Sequence, residues 1–524
     1  MPRFFTEGFR VNKKVYRKRL ANRKRRLARR LDKFNFPDDL GSPMMRVPNI
    51  QYEVAERTVG TSYGGIGLVH QVVRELDLAG EIDKRLGLFK IHLPYHESDH
   101  VLNLAYNALC TGSCLQDLEL RRQDEAYLNA LGAERIPDPT TAGDFCRRFR
   151  RDDLSSLQAA IDAARLKVWA RQGEEFLAVA CIEADGTFVE TDAECKQGID
   201  CTYKGTWGYH PLVLTLAHTG EVLRIINRPG NRPSHEGAAE QFDASIALCK
   251  QAGFKKILLR GDTDFSQTKK LDGWHEQGSS FLFGFDSIGA LEYEAEQLPD
   301  SAWKPLIRPP GYEVKTQPRS KPERVKQKIV EERQYKDIRL ESEEVAEFMY
   351  RPTACKRAYR MIVLRKNLHV NEPREQRFFE DYVYFFYITN ELELTPAECV
   401  FSGNQRCNQE NILAQLGSLR ALHAPVNDLL SNEAYMLCTA LAWNLKAWLA
   451  LWLPDTPGRW AERHQAQKQR LLKMEFRTFA NYWMRIPCQV LKTGRRIICR
   501  LLAWNEWQDV FFRLAEQLSR PLRH

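Results

Sequence analysis

The sequence contains no CxxC pair, and none of its 13 cysteines has a histidine at zinc-finger spacing. A structural zinc site is therefore not expected, and the odd number of isolated cysteines points to reduced thiols. The opening residues, MPRFFTEGFRVNKK, lack the apolar run of an export signal. The expectation is a chain that stays in the cytoplasm. Long hydrophobic runs are scarce too. Only AYMLCTALAWNLKAWLALWL, residues 434 to 453, approaches the length of a membrane span, and Asn444 and Lys446 interrupt its middle. Those two polar residues favour a buried helix.

What is present is a chain of 524 residues, 43% hydrophobic and 10% aromatic, enough to build the cores of about two to four domains. The net charge of +9 makes a polyanionic partner plausible. Nucleic acid is the first choice and an anionic membrane the second. The charge is concentrated early. RVNKKVYRKRLANRKRRLARRLDK, residues 10 to 33, carries basic residues on all sides of a possible helix, including Arg25 and Arg26. Such a helix gains from phosphates through counterion release, whereas the plainer alternative is a solvated basic arm.

Apolar residues recur at helical intervals from about Thr61 to Gln172. Thr140 or Thr141 is a candidate helix start, and TTAGDFCRRF resembles the second helix of a helix-turn-helix, offering Arg147, Arg148, Arg150 and Arg151 to DNA. The period then changes. LAVACIEAD (177 to 185), YHPLVLTLAHTG (209 to 220), EVLRIINR (221 to 228), KKILLRGDTDF and FLFGFDS read as five strands. A helix capped by Ser234 is expected between the third and fourth. The expected class is α/β, a mixed five-stranded sheet with helices.

The expected organisation is a basic N-terminal arm (1–50), a helical DNA-binding region (51–172), a first core part (173–289) and a β-rich insertion (290–395). A last core part (396–455) and a basic C-terminal region (456–524) with a possible hairpin in CQVLKTGRRIICRLL complete it.

Acidic residues end two of the strand candidates: Asp185 in IEADGTF, and Asp262 with Asp264 in LLRGDTDF. Glu410 opens the helix candidate NQENILAQL, one turn after Arg406. Single acids at strand ends and helix starts are ordinary turn and cap chemistry. Brought together, they are hard oxygen ligands suited to Mg2+ or Mn2+. Asp185 and Asp262 are 77 positions apart, and 148 separate Asp262 from Glu410. The second gap leaves room for the insertion.

ADGTF, KGTWGYHPLVLTL, RPGNRPSHEGA, LLRGDTDF, RCNQENILAQL and LAWNLKAWLALWLP occur in this order. In that series the chain resembles a DDE-type insertion-sequence transposase of the insertion sequence 1380 family, from about Tyr52 to Leu453. The resemblance implies an RNase H-like catalytic core with a β-rich insertion before the last carboxylate. It implies Asp185, Asp262 and Glu410 as catalytic, metal-binding residues holding Mg2+ or Mn2+, two ions in all. Asp264 matches a Gly of the family pattern, which leaves Asp262 as the ligand. Related enzymes carry a Tyr, Arg, Glu, Lys signature around the last acid. Arg406 fits it, but Gly403 and Gly417 stand where Tyr and Lys are expected, and Arg420 is the candidate substitute cation.

The implied activity is cleavage at terminal inverted repeats and strand transfer into target DNA, with self-association in a synaptic complex, in a bacterial cytoplasm and on the nucleoid when DNA is bound. Lys204, His210, Arg228 and Arg232 are further candidates to hold phosphates. The rival readings are a nuclease on the same core, a transposase-derived DNA-binding protein without catalysis, and a basic peripheral membrane protein.

Overall fold

Ala180, Ile182 and Ala184 are fully buried, and Glu183 and Asp185, alternating with them, face the opposite side of the same strand. This two-residue period, with apolar side chains on one face and charged ones on the other, sets the centre of the molecule. The computed structural model describes residues 13–32, 59–90, 94–193, 195–202, 205–308, 337–371, 382–454, 458–493 and 496–518.

Helix α1 (Lys13–Asp32) comes first, followed by the short strand β1 (Gly60–Thr61). Seven helices then run from α2 (Ile66–Glu75) to α8 (Arg151–Trp169), among them α7 (Pro139–Cys146). Asp138, not Thr140 or Thr141, caps α7: its carboxylate accepts the Thr141 N–H, and Pro139 takes the first helical position, where no amide hydrogen is needed.

The central strand is β2 (Val179–Gly186). A small sheet of β3 (Val189–Glu190), β4 (Asp200–Cys201) and β5 (Trp207–Tyr209) follows. Next come β6 (Leu212–Leu216), β7 (Glu221–Ile226), α9 (Ala238–Ala252), β8 (Lys256–Gly261), α10 (Thr268–Glu276), β9 (Ser280–Phe285) and α11 (Gly289–Glu296). The five expected strands are all present, in the order β9-β8-β2-β6-β7. The β2–β8 and β8–β9 pairs are parallel, and β2–β6 and β6–β7 antiparallel. Helix α9 starts later than Ser234 suggested. Its first flanking residue is Gly237 at φ 77°, because the carbonyls of Pro233, Ser234 and Glu236 are turned onto the Arg228 guanidinium instead.

The segment read as an insertion contributes β10 (Lys304–Pro305), β11 (Asp337–Tyr350), β12 (Tyr359–Asn371) and β13 (Tyr382–Thr389). These strands extend the core sheet. Phe386 to Thr389 of β13 pair with Phe285 to Leu282 of β9, giving nine strands in the order β10-β11-β12-β13-β9-β8-β2-β6-β7. The basic stretch between β10 and β11 lies outside the described residues.

Helices α12 (Pro396–Asn404) and α13 (Cys407–Ser418) return across the charged face of the sheet. Cys399 and Val400 of α12 pack on Leu282, Ile362 and Leu364. Helix α9 covers the other face, where Phe242 meets Trp274 and Phe283. Helix α14 (Leu429–Leu451) is buried along almost its whole length, and among the described residues no helix is long and apolar enough to cross a membrane. Its polar residues have internal tasks. The Asn444 amide bonds both N–H and C=O of Val222 on edge strand β7, and Lys446 donates to the Leu472 carbonyl. The first two bonds satisfy backbone groups that a bare sheet edge would leave open, and the third satisfies a carbonyl at a helix end.

The chain closes with α15 (Ala461–Leu472), α16 (Phe476–Phe479), a π-helical turn at Ala480–Met484, the hairpin β14 (Cys488–Thr493) and β15 (Arg496–Leu501), and α17 (Gln508–Leu518). Strand β14 pairs with β1, and Trp483 and Phe511 share a continuous core with Ile66 and Val69. The helical region and the C-terminal region are thus packed together.

Candidate functional site

The site begins with register. Val179 of β2 lies opposite Lys256 of β8, and Glu183 opposite Arg260, a constant offset of 77 residues along parallel strands. The same offset separates Asp185 from Asp262. The two acids therefore emerge side by side from the carboxyl ends of neighbouring parallel strands, about 4.8 Å apart strand to strand, where open sheets form their crevices. Asp262 leaves the strand as the cap of a 3-10 turn, accepting the Asp264 N–H at 3.1 Å. Asp264 itself is exposed.

Glu410 arrives on α13. Gln409 seats that helix: it is fully buried, donates to the Val213 carbonyl at 3.2 Å and accepts from the Thr215 hydroxyl of β6. Val213 is the residue paired with Asp185. Glu410 projects from the first turn of α13, where the helix dipole favours a carboxylate. Asp185 and Glu410 line one open groove of about 460 Å³ together with Thr187, Phe188, Leu413 and Gly417.

Beneath the acids lies a buried ion pair. Arg260 Nε donates to Glu183 Oε1 at 2.8 Å, and its Nη1 reaches the Ser402 carbonyl at 2.7 Å, tying β2 and β8 to the end of α12. Sequence reading passed over this pair and Gln409. A signal was there, since each strand places opposite charges two residues before its Asp, in EAD and RGD.

Electrostatically the acids feel one another. Burial first, and the Asp262 carboxylate second, push the Asp185 pKa up to about 7, with Glu410 adding to the rise and Arg406 opposing it. Burial also raises Asp262, again against Arg406. Arg406 Nη1 pairs with Asp262 Oδ2 at 2.9 Å. Among the described residues, no group of three or more His, Cys, Asp or Glu side chains is close enough to hold a metal ion. The donor chemistry nevertheless fits a hard divalent cation: two Asp and one Glu offer oxygen alone, and the Asp185–Asp262 repulsion is what a cation relieves.

The remaining candidates separate clearly. Arg228 is 5% exposed, and its guanidinium donates to the carbonyls of His210, Pro233, Ser234 and Glu236. These bonds brace the loop, while Arg228 Nη2 finds no hydrogen-bond partner among the described residues. Its Nη2 and His210 Nε2 crowd Gly186, where an added Cβ would stand 2.7 Å from the imidazole. Burial lowers the His210 pKa. Arg232 is exposed on the same loop, 3.6 Å from Glu236. Arg420 follows α13 at φ 63°, ten residues beyond Glu410 and so about 15 Å along the helix axis.

Arg147 and Arg148 are exposed at the end of α7, the first paired with Asp144 and the second over Phe89. Arg150 is exposed as the residue flanking the start of α8, and Arg151 pairs with the buried Glu433. Arg25 and Arg26 are exposed on α1. Lys204 lies outside the described residues. At Gly403, the Tyr387 ring occupies the space beside the backbone, with its Cε1 2.8 Å from where a Cβ would stand.

Comparison with known proteins adds three findings. No curated protein matches the sequence. The piggyBac transposase, solved as a synaptic complex with hairpin DNA, is similar at 9% identity and a TM-score of 0.34, over 80% of this chain and 83% of that one. The model of the transposase DDE domain, group 1, matches residues 47–522. The chain, matched over nearly all of its length, belongs to that DDE transposase family.

Proposed function

We propose that this transposase cuts DNA at the terminal inverted repeats of an insertion sequence of the insertion sequence 1380 family and joins the freed ends to target DNA. The observation that carries the reading is the parallel register that sets Asp185 beside Asp262, with Glu410 on the same groove as Asp185. The five strands β9-β8-β2-β6-β7, with helices on both faces, support an RNase H-like core.

Asp185, Asp262 and Glu410 are the residues that would hold Mg2+ or Mn2+. Divalent ions bound there supply Lewis-acid activation of an attacking oxygen and stabilisation of the leaving one. The protein's own part is to align and to neutralise. Gln409 fixes the helix that carries Glu410, and the Glu183–Arg260 pair locks the two strands in register. Arg406 places a guanidinium beside Asp262, where a scissile phosphate needs a counter-charge. Exposed Arg232 and Arg420, with Arg147 and Arg148 of α7 and Arg25 and Arg26 of α1, suit backbone contacts to duplex DNA. The ends of two elements have to meet for joining, so self-association belongs to the reaction.

The test is cleavage and strand transfer on DNA carrying the coding region's own flanking ends, with and without Mg2+, for the native chain and Asp262→Asn. Metal-dependent cutting with joined products, lost in the variant, is expected. Cutting without joining would assign a nuclease, specific binding without cutting a DNA-binding descendant. Undiminished activity in Asp262→Asn would refute the site.

A further inference from the structure

The chain's positive charge is distributed unevenly. Helix α1 holds eleven Lys and Arg against one acid, a net +10, and residues 458–485 hold seven against two, a net +5. The whole chain carries +9, so everything outside these two segments sums to −6.

The two segments lie far apart in sequence, yet both contact Trp504 to Trp507. Lys24 of α1 stands 5.3 Å from the Trp504 ring centroid, and Arg470 of α15 stands 5.1 Å from that of Trp507 and 4.0 Å from Glu506. Arg470, Lys473, Tyr482 and Trp507 line a cleft of about 520 Å³ there. At the other end of α15, Arg459 and Arg463 both lie against Trp460, which is 45% exposed.

We propose that α15 and the cleft at its end, together with α1, form a second DNA-docking surface, separate from the catalytic groove, that grips the backbone of a duplex. The inference rests on the reading that this transposase acts on DNA ends. Basic side chains steadied on aromatic rings lose less freedom when they meet phosphates. The apolar side of α15, Leu471 and Leu472, is buried, and its exposed side is polar and charged. A helix lying on a membrane would instead expose its apolar face. A route to the catalytic groove exists, since the Phe476 N–H just after α15 bonds Gln415 of α13 at 2.9 Å, about 7.5 Å along that helix from Glu410.

The experiment is duplex binding by fluorescence anisotropy at several salt concentrations, in EDTA so that nothing is cut, using the full chain. Arg463→Ala/Arg470→Ala/Lys473→Ala is compared with the native protein and with a control, Lys255→Ala/Lys269→Ala/Lys304→Ala, at exposed positions elsewhere. Because each neutralised phosphate contributes about 0.9 to the slope of log Kd against log salt, the triple variant should lower the slope by about 2.7 and weaken binding at least tenfold. Arg459→Ala/Arg463→Ala leaves the Arg470–Trp507 contact intact, guards against misfolding, and should lower the slope by about 1.8.

Unchanged slope and affinity in both variants, or an equal loss in the control, would overturn the docking surface while native binding and cutting still upheld the transposase. Native protein that binds no duplex would sink both. Attachment to phosphatidylserine vesicles that these substitutions abolish, with DNA binding intact, would assign the surface to lipid and overturn the proposal.

Discussion

Arg406 and Asp262 form an ion pair at 2.9 Å, and because the other Asp262 oxygen accepts the Asp264 amide, both oxygens of this carboxylate are engaged. A cation that takes Asp262 as a ligand meets the charge of the guanidinium and competes with it for the same carboxylate. Arg406→Gln should therefore bind Mn2+ more tightly in the absence of DNA, by about fivefold if a partly exposed pair is worth about 1 kcal/mol, while cleavage falls. Titration calorimetry in Mn2+ separates the two effects. Weaker Mn2+ binding in the variant would mean that Arg406 orders the carboxylates and does not compete for them.

Asp185 sets a pH dependence. Its folded pKa of about 7 lies above the ordinary carboxylate value because of burial and Asp262, so the folded state binds the extra proton between about pH 4 and 7. That contribution to stability is full below pH 4 and is lost as pH rises through 7. In EDTA, the native protein should lose more Tm between pH 4.5 and 8 than Asp185→Asn does, a difference of about a few degrees. Parallel Tm curves would show that Asp185 ionises normally.

Glu183 and Arg260 are buried together, at 0% and 4% exposure. Arg260→Met should cost about 3–5 kcal/mol by stranding a buried carboxylate. Adding Glu183→Met should restore most of it, because two apolar side chains of similar length need no pairing. Urea denaturation of the three proteins checks this, and a double variant no more stable than Arg260→Met would contradict it.

Gln409 should matter through Glu410. Gln409→Leu leaves the Val213 carbonyl and Thr215 hydroxyl without their partner, a cost of about 1–3 kcal/mol, and frees the start of α13. Cleavage is expected to fall at least tenfold at a temperature where the variant is fully folded by circular dichroism. Full activity in the folded variant would show that the helix is held in place by its other contacts.

Much of this was legible locally. Short apolar runs marked the five core strands, the run from Ala434 to Leu453 announced a buried helix, and the acids after LAVACI and KKILL fell where strands end. Cap chemistry was less legible. Asp138 and Gly237 took the places expected of Thr140 or Thr141 and Ser234, because Pro139 and the Arg228 loop changed where each helix began. Nor did the sequence reveal that Arg228, a candidate to hold phosphates, is buried with four carbonyls on its guanidinium.

The sequence by itself determined which segments become strands and helices, which residues bear the charge, and which acids are available, since period, capping and composition act over a few neighbours. The tertiary structure alone decided which strands pair. A register of 77 residues, the junction of β13 with β9, and the placing of Lys24 of α1 over Trp504 and Arg470 of α15 over Trp507 depend on packing between segments far apart in the chain. Local periodicity gives a strand two faces, but it names neither its partner nor the offset at which they meet.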